Sequence, residues 1–157
     1  MCDLLVSMKG IDKSFPGVKA LDQCQFELYK GEVHALVGEN GAGKSTLMKV
    51  LTGIYQKDDG KILYKGKEIH LKSPKDARDI GIGIIHQEIN LMPHLTVAEN
   101  IFIGREYMKG PLLDIKKTKQ EAVKLMESLG LQINTEIRVQ DLTIAKQQMV
   151  EIGKALS

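Results

Sequence analysis

The residues Gly38-Glu39-Asn40-Gly41-Ala42-Gly43-Lys44-Ser45-Thr46 follow the apolar run Val33-His34-Ala35-Leu36-Val37 and match the spacing G-x-x-x-x-G-K-[ST]. Chemistry of this kind holds phosphate. Glycines at 38, 41 and 43 take backbone angles that a Cβ forbids, so successive N–H groups can turn inward around an anion. Leu47, Val50 and Leu51 recur at helical spacing, which places a helix N-terminus, worth about half a positive elementary charge, against the same phosphates. That end alone contributes about 0.3–2 kcal/mol, whereas micromolar affinity requires about 8 kcal/mol. Lys44 supplies a point charge for the β and γ phosphates and the Ser45 hydroxyl a hard oxygen for Mg²⁺. The alternative is a glycine-rich turn that only joins strand to helix.

The elements that must position this loop are legible around it. A β segment is expected near residues 4–11, a turn at Pro16-Gly17, and a second strand through the alternation 24–28. After the first helix, Asp58-Asp59-Gly60 reads as a turn, and 61–64 with 68–71 as a hairpin around Lys65-Gly66-Lys67. Ser73, Pro74 and Asp76 spell a capped helix ending near Gly81, and 82–85 reads as a buried strand. Thr96 with Glu99 forms another capping box, and Asp114 caps a helix with Ile115, Ala122, Leu125, Met126 and Leu129 on its apolar face. Lys116, Lys117, Lys119 and Lys124 fall largely off that face and read as solvated charges. A last amphipathic helix from about Asp141 carries Met149, Val150, Ile152, Ala155 and Leu156; it meets no stop signal before Ser157, so the natural chain is expected to continue.

With 157 residues, 43% of them hydrophobic, the sequence suits one soluble domain with a real core. A formal net charge of +2 calls for neither nucleic acid nor an acidic membrane surface. Cys2 and Cys24 have no metal-ligand or CxxC spacing and read as reduced, unpaired thiols of a reducing cytosol. The start lacks the basic n-region of a signal peptide, and no stretch approaches about 18 apolar residues, so the chain is expected neither to cross nor to span a membrane by itself.

Taken with the phosphate loop, Phe15-Pro16-Gly17-Val18-Lys19-Ala20-Leu21, Gly83-Ile84-Ile85-His86-Gln87-Glu88 and Gln147-Gln148-Met149-Val150-Glu151-Ile152 resemble ABC-transporter ATPase cassettes over almost the whole chain. Residues 38–51 and Leu95-Thr96-Val97-Ala98-Glu99-Asn100-Ile101 are similar in style to the first of two tandem cassettes in monosaccharide importers of ribose, galactose or xylose type. The resemblance implies an α/β P-loop NTPase fold, partial here, with an antiparallel β subdomain and a helical subdomain. Residues 1–157 would be the N-terminal part of one ATPase domain: roughly 1–88 the nucleotide-binding core and β subdomain, 89–157 the helical subdomain.

It also implies roles. Phe15 would stack on adenine; the alternative is a core phenylalanine beside a turn. Gln87 would reach Mg²⁺ and the attacking water and sense the membrane partner. His86 and His94, without a ligand cluster, read as ordinary structural histidines. The apolar loop 89–95 would face the permease, or simply pack on a neighbouring helix.

Leu142-Thr143-Ile144-Ala145-Lys146 stands where the family has the signature L-S-G-G-Q, which acts in trans on the nucleotide of an opposing cassette. Thr143 keeps a hydroxyl, but Ile144 and Ala145 replace glycines that permit close approach, so a weakened half-site is expected, with Lys146 partly supplying charge. No apolar strand ending in Asp-Glu precedes Ser157. The groups that complete hydrolysis would therefore lie beyond it, and ATP and Mg²⁺ binding without meaningful turnover is expected, along with self-association or marginal stability from an uncovered sheet.

The partners implied are integral-membrane permease subunits met through the loop after Gln87, a second ATPase cassette and, indirectly, a periplasmic or extracellular sugar-binding protein, at the cytoplasmic face of the membrane. The alternatives are a soluble ABC ATPase of translation or DNA repair, a P-loop small-molecule kinase, and a non-catalytic nucleotide-sensing module.

Overall fold

The computed structural model describes residues 3–157, so the reading of Cys2 lies outside the described residues, while Cys24 is a free, half-buried thiol. The chain divides into two compact units, residues 1–82 and 83–157.

In the first unit, β1 (Leu4–Phe15) turns at Pro16-Gly17 into β2 (Val18–Tyr29), with Phe15 opposite Val18 and Met8 opposite Phe26. β1 runs further than its alternation suggests because a bulge resets the pattern. Gly10 and Gln23 both adopt positive φ, and Asp12 accepts from the Gln23 backbone N–H at 2.7 Å and its side-chain amide at 2.8 Å. The helix α1 (Lys44–Leu51) turns Leu47, Val50 and Leu51 into the same core as Val6, Met8 and Ile11.

β3 (Asp59–Tyr64) pairs with the other side of β1, placing Ile62 opposite Met8. The turn signal at 58–60 is therefore partly strand, since β3 begins at Asp59. A turn with both Lys65 and Gly66 at positive φ leads to β4, which is only Lys67–Glu68, shorter than the alternation at 68–71 suggests. The sheet order is β2-β1-β3-β4. The helix α2 (Pro74–Asp79) has both bonds of its Ser73/Asp76 capping box and proline in its first turn.

The strand expected at 82–85 does not form, nor does the strand that the phosphate-loop motif calls for at 33–37. Residues 33–37 and 82–85 have no strand pairing, and Val33, Val37 and Ile85 are 99%, 93% and 52% exposed. Apolar runs of this kind suit a strand covered on both faces, and that state needs ladder partners on its flanks. Neither run joins the four-stranded sheet.

The second unit is helical. α3 (Val97–Phe102) starts from a complete Thr96/Glu99 capping box, and two of its otherwise unpaired N–H groups are satisfied by backbone: Val97 donates to Ile137 O and Ala98 to Thr135 O, both at 3.0 Å. A hairpin that the sequence reading missed, β5 (Met108–Lys109) and β6 (Leu112–Leu113), bends at Gly110-Pro111. α4 (Ile115–Ser128) is capped by Asp114, which accepts from Lys117 N–H. Its buried stripe is Thr118, Ala122 and Met126; Ile115, three residues before Thr118 on the same side, is 64% exposed at the first position of the helix. After a 3-10 turn at Val139–Asp141, α5 (Ile144–Leu156) buries Val150 and Gly153. No described helix is long and apolar enough to cross a membrane.

The Glu99 carboxyl lies below its ordinary value of 4.5, chiefly because Thr96 N–H donates to it and then because the Thr96 hydroxyl does. A carboxyl lowered on folding adds stability that is complete above 4.5 and is lost as pH falls through its folded value. Asp12, held down by the Gln23 N–H, and Asp58, held down by the Lys13 ammonium, act in the same direction from 3.8 in the first unit. Thermal melts followed by circular dichroism should show helix stability falling on acidification below pH 4.5. Glu99→Gln should cost about 0.5 kcal/mol at neutral pH, the order of a first-turn acid, and flatten the acid-dependent loss.

Candidate functional site

The phosphate loop sits in the first unit between the unpaired run 33–37 and α1. A turn bond from Ala42 N–H to Glu39 O (3.2 Å) folds it, and Leu47 N–H to Gly43 O (2.8 Å) opens the helix. Gly43 occupies the N-cap position with φ 81°, and no side chain caps the first turn. No acidic residue stands in that turn, so the amide groups of the helix start face a locally positive environment suited to an anion.

Lys44 folds back over the loop. Its ammonium donates to the carbonyl oxygens of Gly38 at 2.6 Å and Glu39 at 2.7 Å. Those bonds draw the ends of the loop together and hold the cation over it, where phosphate oxygens would compete with the carbonyls. Glu39, Asn40, Gly41, Ala42 and Ser45 are exposed, and Thr46 is half-buried. Ser45, at the second position of α1, presents a hydroxyl to solvent at the helix end, the hard-oxygen chemistry that Mg²⁺ takes.

Phe15 belongs to the same unit and comes within reach of the loop through its hairpin. It ends β1 opposite Val18, and two residues further along β2 the carbonyl of Ala20 lies 2.6 Å from where a Cβ on Gly43 would stand. Phe15 is half-buried and meets Tyr55 edge-on, with centroids 5.1 Å apart. Lys13 lies 5.5 Å from the Phe15 ring centre, and Lys49 of α1 lies 5.3 Å from that of Tyr55. Tyr55 was not singled out from the sequence, although an aromatic just past the end of the phosphate-binding helix was a usable signal. Its N–H donates to Lys49 O at 3.0 Å, which fixes the ring to the helix end.

The remaining candidates are in the second unit. Gln87 is exposed, within a stretch lacking regular structure, and His86 and His94 are exposed as well. In the loop 89–95, Leu91 is buried while Met92, Pro93 and His94 face solvent. The signature-like residues 142–146 form the start of α5: Leu142 is half-buried, Thr143 takes the N-cap position without a side-chain bond, and Ile144 (70% exposed), Ala145 and Lys146 are exposed. Gln147 ties this start down, its amide donating to Val139 O and Leu142 O, each at 3.1 Å. Asn100, fully buried on α3, is the other residue that the sequence reading passed over.

The family described as "ABC transporter" matches residues 21–157. The chain is 54% identical over 155 residues to a putative ribose/galactose/methyl galactoside import ATP-binding protein 2 of Burkholderia cenocepacia, covering 98% of this chain and 30% of that protein. It is 52% identical over 153 residues to a ribose import ATP-binding protein of Caldanaerobacter subterraneus, covering 97% and 31%. The chain thus spans about 30% of the length of these curated relatives. Among solved structures, a nucleotide-free ATP-binding cassette from an ABC transporter superposes with a TM-score of 0.83 at 30% identity, over 98% of this chain and 64% of that one. Another such cassette, in its ADP conformation, gives 0.82 at 31% identity with the same coverage.

Proposed function

This chain belongs to the ABC transporter family, and we propose that it is the nucleotide-binding front part of a sugar-import ATPase. The observation that carries the reading is the phosphate loop with its open helix N-terminus and the Lys44 ammonium held over it. Relatives named as ribose and galactoside import ATP-binding proteins support monosaccharide import as the work of the full-length protein.

In this reading ATP is the nucleotide. The loop amides and Lys44 bind its phosphates, and Phe15, braced by Tyr55, offers a ring face to adenine. The Ser45 hydroxyl would offer Mg²⁺ a hard oxygen ligand. Bound Mg²⁺ supplies neutralisation of charge on the β and γ oxygens. Residues 142–146 serve the nucleotide of a second cassette, and Ile144 and Ala145 keep that approach looser than glycine would. The loop after Gln87 meets integral-membrane permease subunits at the cytoplasmic face of the membrane, and through them the protein works with a sugar-binding protein outside the cell.

The 157-residue chain should bind Mg-ATP without meaningful hydrolysis, since it carries no apolar run ending in Asp-Glu to order metal and water. Titration calorimetry set beside a phosphate-release assay tests this. Robust turnover by this chain, abolished by Lys44→Ala, would overturn it, and absence of Mg-ATP binding would overturn the assignment of the loop.

A further inference from the structure

We propose that Asn100 is a positioning residue that sets the shape of the 92–96 loop, and with it the surface offered to the membrane partner; this rests on the reading above, in which that loop meets the permease. Asn100 is fully buried on α3, on the apolar face it shares with Val97 and Ile101. An amide there is costly unless every polar atom is bonded. Its carboxamide oxygen accepts from Met92 N–H at 2.7 Å, while its NH₂ donates to Met92 O and Thr96 O at 3.0 Å and to Leu95 O at 3.4 Å. A single side chain therefore takes both backbone groups of Met92 and the carbonyl at the far end of the turn.

Only a carboxamide carries donor and acceptor at this spacing. Aspartate would set negative charge against three carbonyl oxygens, and leucine would leave Met92 N–H unbonded and Met92 O with the Leu95 N–H at 3.2 Å alone. The outer side of the same turn is the exposed Met92, Pro93 and His94. Two more bonds extend the clamp: Val139 N–H donates to Leu95 O and Gln140 N–H to Pro93 O, both at 3.0 Å. The loop and the 3-10 turn that precedes Leu142 are thus one hydrogen-bonded piece. Loosening Asn100 loosens the docking surface, while the phosphate loop belongs to the first unit.

The test uses the full-length protein with its permease. Asn100→Ser is the main variant, because a serine hydroxyl still bonds the Thr96 carbonyl four residues back, so the helix is preserved, but it does not span to Met92; Asn100→Ala is the harsher companion. Hydrogen exchange at the Met92 amide should rise at least about tenfold and permease affinity should fall at least about tenfold, the scale of one buried hydrogen bond lost. Mg-ATP affinity should stay within about twofold. A purely structural role would lower helix melting while leaving permease affinity intact. Unchanged permease affinity beside faster Met92 exchange overturns the inference, as does unchanged exchange. Failure of the wild-type protein itself to bind the permease overturns instead the reading on which the inference rests.

Discussion

Lys44→Ala is expected to weaken Mg-ATP binding by one to two orders of magnitude while leaving the fold in place. The ammonium spans the Gly38 and Glu39 carbonyls at 2.6 and 2.7 Å, so in the protein it is already paired and already over the loop. A phosphate oxygen takes its place among those partners with full opposite charge, and a hydrogen bond to a charged group is worth about 1.5–3 kcal/mol. At about 1.4 kcal/mol per tenfold, that corresponds to a loss of roughly 10- to 150-fold. Fold stability should move much less, since the lost bonds link a surface loop to itself.

Two controls separate charge from geometry. Lys44→Arg keeps the charge but replaces a compact ammonium by a planar fork, and should recover only part of the affinity. Lys49→Ala removes a cation of the same helix that lies against Tyr55 instead of over the loop, and should change binding less than threefold, about the worth of an exposed cation–π contact. Calorimetric titration of the three variants measures all of this. Equal losses for Lys44→Ala and Lys49→Ala would mean that only the general field of the helix end matters.

What could be read from the sequence was local. The capping residues Ser73, Thr96 and Asp114, with Asp76 and Glu99 completing the boxes, mark three helix starts because the bonds that make a cap close within four residues. Lys65-Gly66 mark the turn between β3 and β4 for the same reason. What could not be read was tertiary. The runs at 33–37 and 82–85 carry strand-like composition, yet a strand is a relation between segments, and composition does not say whether a partner is present.

Asn100 looks in sequence like a weak helix former, and its significance lies entirely in backbone groups four to eight residues away that only the folded loop brings to it. Tyr55 becomes part of the candidate site only through the ring of Phe15 across the first unit. Within the site, the anion cradle was legible as spelling, while the brace of Lys44 on its own loop was not, since the motif names the lysine without saying where it rests.

Gly43→Ala should remove nucleotide binding and lower the stability of the first unit together. Gly43 stands at φ 81°, a conformation that costs an L-residue about 1–2 kcal/mol. Space adds to the cost. A Cβ there would lie 2.6 Å from the Ala20 carbonyl oxygen and 2.9 Å from Leu21 Cδ2. The first of these is backbone in β2, where Lys19 faces Ser14 and Leu21 faces Lys13, so it cannot step aside without breaking strand pairing. Overpacking of this kind adds about 1–3 kcal/mol.

The loop itself must move instead, carrying away the carbonyls that hold Lys44 and the amides of the helix start, and Mg-ATP affinity should fall by at least about 100-fold. Gly41 supplies the contrast. Its φ of 90° is equally left-handed, but a Cβ there meets nothing within 4 Å, so Gly41→Ala carries strain alone. Its penalty should be about 1–2 kcal/mol, with nucleotide binding reduced less than in Gly43→Ala. Denaturant unfolding and calorimetry on the two variants side by side decide between close approach and backbone freedom as the reason for glycine at 43. If the two alanines behave alike, contact with Ala20 is irrelevant and φ alone explains the residue; if Gly43→Ala is the worse by an order of magnitude or more, the first hairpin is the anvil on which the phosphate loop is shaped.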